Sequence, residues 1–60
     1  MITVIVTYVD QSPLPEFYLL DGEINARRFA AEELRWSNTA LVQIPALDFV
    51  EVGDFAEVTA

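Results

Sequence analysis

Asp48, Glu51, Asp54 and Glu57 recur at every third position in the last quarter of the chain. Carboxylates at a regular spacing can do two kinds of chemistry. A converging pair with one raised pKa can act as general acid and base. A cluster of hard oxygen donors can hold Ca²⁺ or Mg²⁺. On a helix, three-residue spacing would gather the four on one slowly drifting face. Val50, Val52 and Phe55, interrupted by Gly53, favour strands and a turn instead, which divide the side chains between faces. The twelve-position calcium loop is also missing. These residues therefore read as the solvated rim of a sheet, with no metal ligands, no catalytic residues and no cofactor expected.

The remaining residue types narrow the chemistry further. Histidine, cysteine and lysine do not occur in the sequence. Their lack removes the usual base near neutral pH, the thiolate nucleophile, the common zinc ligands and Schiff-base chemistry. Ser12 and Ser37 are the only serines, and neither sits in a strand–turn–helix context that would expose a nucleophile. Gly22 and Gly53 are too far apart for a phosphate-cradling loop. Disulfide stapling is excluded as well.

Ten acidic residues stand against Arg27, Arg28 and Arg35, giving a net charge of −7. Such a surface repels phosphate backbones, so direct nucleic-acid binding is not expected. It attracts a basic protein surface, and it also serves solubility. An apolar fraction of 53% argues against disorder despite that charge. Many hydrophobes in 60 residues leave little volume to hide them, which points to a single domain whose exposed face is covered by a homodimer partner or another chain, with a well-packed monomer as the alternative. The apolar run from Ile2 to Val9 is broken by Thr3 and Thr7. It has neither spanning length nor a basic leader, so a cytoplasmic protein with no membrane partner is the expectation.

The elements that must position any site follow from punctuation and periodicity. Residues 1–9 are dense in β-branched types and apolar on both sides, as a central strand requires. Pro13 and Pro15 stiffen the following loop. Phe17–Leu20 form a second strand leading into Asp21-Gly22, a tight-turn signal from which Glu23 and Ile24 pair back briefly. Asn25 then caps a helix over 26–36, with Ile24 and Phe29 spaced for a hydrophobic staple. A competing reading makes Asp21 the cap, but it places Gly22 inside the first helical turn. Ala26, Ala30 and Leu34 form the apolar stripe, widened by Phe29 and Ala31. Arg28 and Glu32 are spaced to pair across one turn. Strands at 39–44 and 47–52 follow, and 55–58 are a candidate fifth. The fold class is α+β: one helix packed on a small, mainly antiparallel sheet of three to five short strands, in the order β-β-α-β-β.

Protein recognition is the function this pattern supports. Arg27 lies beside the apolar stripe, where it either lays its stem over the core edge or anchors an interface. Trp36 closes the core over the sheet end or serves as an exposed anchor, with closure favoured by tryptophan's usual burial. Tyr8, Phe17 and Tyr18 present the same choice. The expected site combines Tyr18, Arg27 and Trp36 with the carboxylates Asp48, Glu51 and Asp54. The expected role is that of a small acidic inhibitor or modulator of a larger, basic protein. In one form its carboxylates stand where phosphates would lie. The alternative is an assembly protein that self-associates through an apolar sheet or helix face.

Overall fold

A computed structural model describes residues 1–9, 14–36 and 38–53. It contains β1 (Ile2–Tyr8), β2 (Glu16–Leu20), α1 (Glu23–Glu33), β3 (Thr39–Ile44), a short 3-10 turn (Pro45–Leu47) and β4 (Phe49–Val52). The four strands form one antiparallel sheet in the order β2-β1-β3-β4. This is the expected α+β arrangement, β-β-α-β-β along the chain. The candidate strand at 55–58 lies outside the described residues.

The two-sided apolar strand β1 takes an interior place, with β2 and β3 on either side. Its partners give the register: Val4 stands opposite Tyr18, and Val6 stands between Glu16 and Val42. Since side chains alternate between faces, even-numbered residues of β1 point to one side and odd-numbered ones to the other. The even side is the core. Val4, Val6, Val42 and Ile44 are fully buried there against Ala26 and Ala30 of α1. Alanine at those two helical positions lets the helix backbone come close to the sheet. Ile2, Tyr8, Tyr18, Leu20, Phe29 and Leu34 pack around that centre. Ala31, expected to widen the stripe, is exposed.

The helix start departs from the sequence reading. Gly22 is the N-cap, with φ 88° and ψ 162°, and its carbonyl accepts the Ala26 N–H at 3.1 Å. The glycine sits just outside the helix, so its poor helical propensity carries no penalty there. Glu23 and Ile24 consequently enter the first turn and make no return strand. Glu23 places a negative charge where the helix dipole favours it. Asn25 does not cap; its Nδ2 donates to the Asp21 carbonyl at 2.7 Å, tying the helix back to the turn. The expected staple is absent because Ile24 is 74% exposed. At the other end the helix finishes at Glu33. Arg35 and Trp36 donate back three residues, to the carbonyls of Glu32 and Glu33, in a tightened final turn.

At the β1/β3 pair the register shifts between Thr7 and Tyr8, leaving Ala40 as the extra residue of a bulge. Gly53 docks beside this bulge, donating to the Ala40 carbonyl at 2.8 Å. A Cβ on Gly53 would lie 1.8 Å from the Thr39 carbonyl oxygen, so only glycine permits the approach. No helix among the described residues is long and apolar enough to cross a membrane.

Candidate functional site

Of the six residues expected to form a binding surface, the five described ones are spread over the molecule. Tyr18 is on the helix-facing side of β2, half-buried, with its ring centroid 4.8 Å from that of Phe29 and the planes at 53°. It belongs to the core margin. Arg27 is exposed, and its Nε donates to Glu23 Oε2 at 2.8 Å. This one-turn pair forms in place of the expected Arg28–Glu32 pair, and pairs of its kind contribute little in water. Glu51 faces the helix side of the edge strand β4, opposite Val42, with its carboxylate in solvent. Asp48 follows the 3-10 turn with φ 54°, a left-handed conformation that Asp and Asn tolerate better than most residues. Asp54 lies outside the described residues. Among the described residues no three carboxylates come together as a cation cluster.

Trp36 is 63% exposed, so it does not close the core as tryptophan's usual burial suggested. Its backbone is fixed: the carbonyl accepts the Thr39 N–H at 3.2 Å, just where β3 begins. Asp48 sits beyond the far end of that strand. Six residues of strand separate the two positions, roughly 17–20 Å at the usual rise. Trp36 is instead flanked by two shallow depressions. One of about 320 Å³ is lined by Tyr8, Glu33, Trp36 and Asn38. The other, of about 380 Å³, is lined by Glu32, Arg35 and Trp36.

A polar contact at this corner locks the helix to the sheet. Tyr8 Oη donates to Glu33 Oε1 at 2.7 Å, a distance typical of a charge-assisted bond. With its proton committed to the carboxylate, Tyr8 can only accept from Tyr18 Oη, and at 3.4 Å that contact is weak. Partial burial, followed by the contacts with Tyr18 and Glu33, pushes the Tyr8 hydroxyl far above the ordinary tyrosine value. The group therefore stays protonated and acts as a donor throughout the physiological range. Nearby, Thr39 is buried, and its hydroxyl oxygen has no partner among the described residues.

The largest feature is the side of the sheet that α1 leaves open. Phe17 and Leu19 of β2 and Val50 and Val52 of β4 are each 62–65% exposed there. Between them lie Ile5, Leu41 and Gln43, with Thr3 and Thr7 completing the face. None of these nine residues is charged, although 22% of the chain is. The charged side chains of the described strands, Glu16 and Glu51, both point to the helix side. Sequence reasoning expected an exposed apolar face but did not say which one. Its signal was the period of two in 16–20 and 49–52, where Phe17, Leu19, Val50 and Val52 alternate with residues turned toward α1.

Comparisons of this chain with protein-family models, with curated proteins and with solved structures found no match.

Proposed function

We propose that this chain is a small acidic protein-binding protein that modulates a larger partner and performs no catalysis of its own. The exposed quartet Phe17, Leu19, Val50 and Val52 on one uncharged face is the observation that carries this reading. Contiguous apolar surface beyond a few hundred Å² marks an interaction site far more often than an inert surface. Asp48 and Glu51 add negative potential away from the face, which speeds encounter with a basic partner more than it tightens the complex. Trp36, fixed at its backbone and free at its indole, is suited to be an anchor in a partner's pocket. The lack of histidine, cysteine and lysine supports the non-catalytic half of the proposal.

Affinity capture from the source cells tests it with three variants: Phe17→Ser with Val50→Ser, Trp36→Ala, and Asp48→Asn with Glu51→Gln. Asparagine keeps the left-handed backbone at position 48, so the last variant changes charge without changing the fold. The face variant is expected to lose the partner. The carboxylate variant should weaken capture at low salt and converge with wild type at high salt. A partner retained undiminished by all three overturns the proposal.

Self-association is the second reading, favoured by the lack of any charge on the open face.

A further inference from the structure

We infer that the occupant of the open sheet face is a second copy of this chain, seated face to face. The inference rests on the reading of that face as a protein-binding surface and develops the self-association reading, with a second copy in place of the larger partner there. Charge is the first reason. Two copies of a chain carrying −7 repel wherever their helix layers or rims meet. The described residues of the open face include no ionisable side chain, so two copies can meet there without placing those like charges in contact. An uncharged face also offers a basic partner no complementary group to pair with.

Side-chain size is the second reason. The large residues Phe17 and Leu19 lie on one outer strand, and the smaller Val50 and Val52 lie on the other. A two-fold axis parallel to the strands carries β2 of one copy over β4 of its partner. Phe17 of each copy then meets Val50 of the other, a large side chain on a small one at both edges, as interdigitating sheet faces require. The row Phe17–Ile5–Gln43–Val50 stacks on itself in reverse, setting Phe17 over Val50 and Ile5 over Gln43.

Area sets the strength of the pairing. The 22 strand residues, at about 4.8 Å by about 3.3 Å each, give a sheet face of roughly 350 Å² per copy. Both copies together would bury roughly 700 Å², below the size of stable interfaces. The expected assembly is accordingly a weak, concentration-dependent dimer.

Sedimentation equilibrium and thiol cross-linking test the inference on the full chain. Wild type is expected to approach twice the chain mass at several hundred micromolar. Phe17→Asp and Val50→Asp should each weaken the dimer at least tenfold while the far-ultraviolet circular dichroism stays unchanged. Trapping uses Phe17→Cys with Val50→Cys in a chain that has no other cysteine. A short bifunctional thiol reagent joins them, because facing sheets pack about 10 Å apart, too far for a direct disulfide. The two positions sit on opposite outer strands, about 14 Å apart by strand spacing, beyond the reagent's reach within one copy. The double variant should therefore be linked into a covalent dimer much faster than either single variant. A wild-type chain that stays monomeric at several hundred micromolar overturns the inference. So does a dimer indifferent to both aspartates, or trapping through a single cysteine as fast as through the pair. A monomer whose captured larger partner is lost in Phe17→Asp removes the second copy but leaves the binding surface in place. A monomer with no such loss removes both.

Discussion

Tyr8 and Thr39 occupy the same corner and illustrate opposite fates of a hydroxyl at a core margin. The Tyr8 hydroxyl ties β1 to the last turn of α1 through Glu33. Tyr8→Phe should lower stability by about 1–2 kcal/mol, measured by urea denaturation, because a hydrogen bond to a charged acceptor is lost from a half-buried site. The pH dependence has a definite sign. Tyr8 has its folded pKa raised above the unfolded value of about 10. Its contribution is complete below pH 10, where both states hold the proton. It is lost as pH climbs beyond that value, because only the unfolded chain then releases the proton readily. Denaturation followed from pH 8 to 11 should show that decline in wild type and a flatter profile in Tyr8→Phe. Thr39, by contrast, buries a hydroxyl oxygen without a partner among the described residues. Thr39→Val should raise the melting temperature, corresponding to about 1 kcal/mol, since the desolvation cost vanishes while the shape remains. Neither contact was legible in the sequence, which shows residue types but not the meeting of position 8 with position 33.

At the scale of elements, punctuation in the sequence located the strands and the helix to within a few residues. β1, β2 and β3 fall where β-branched and aromatic runs place them, and β4 begins two residues late because Pro45–Leu47 form a 3-10 turn first. The helix start was misplaced for a reason visible at Gly22. A positive φ is required at Asp-Gly in a hairpin and equally at a glycine N-cap, so the dipeptide alone does not distinguish the two. The two glycines should respond differently to a methyl group. Gly22→Ala meets open space, so its cost is conformational alone, about 1–3 kcal/mol. Gly53→Ala drives Cβ into the Thr39 carbonyl, so the chain must shift. Hydrogen exchange in that variant should accelerate at the amide of Gly53's replacement and along β4, while the β1–β2 amides keep their protection.

For the whole molecule, salt separates the two kinds of partner. Screening weakens attraction between an acidic surface and a basic one, and it equally weakens repulsion between two acidic copies. Raising ionic strength from about 0.05 to 0.5 M should therefore tighten self-association while loosening capture of a basic protein. Dimer dissociation constants at the two salt concentrations, read by sedimentation, check the first half. Apolar composition already pointed to an exposed apolar face, since 60 residues with 53% hydrophobes leave little volume to hide them. It did not select the face, because β1 is apolar on both sides and its periodicity reads the same from either.

Composition and local pattern by themselves determined an acidic α+β chain with one helix among short strands. These follow from residue type, period and turn chemistry, all of which act over a few neighbouring positions. Tertiary structure alone decided which side of the sheet the helix covers, that Tyr18 joins the core margin while Trp36 stays exposed, and that the described residues of the expected site lie apart. Those outcomes depend on strand order and register, which bring together residues distant in the chain. Packing of Ala26 and Ala30 onto Val4, Val6, Val42 and Ile44 fixed the covered face, and the opposite face was left to Phe17, Leu19, Val50 and Val52.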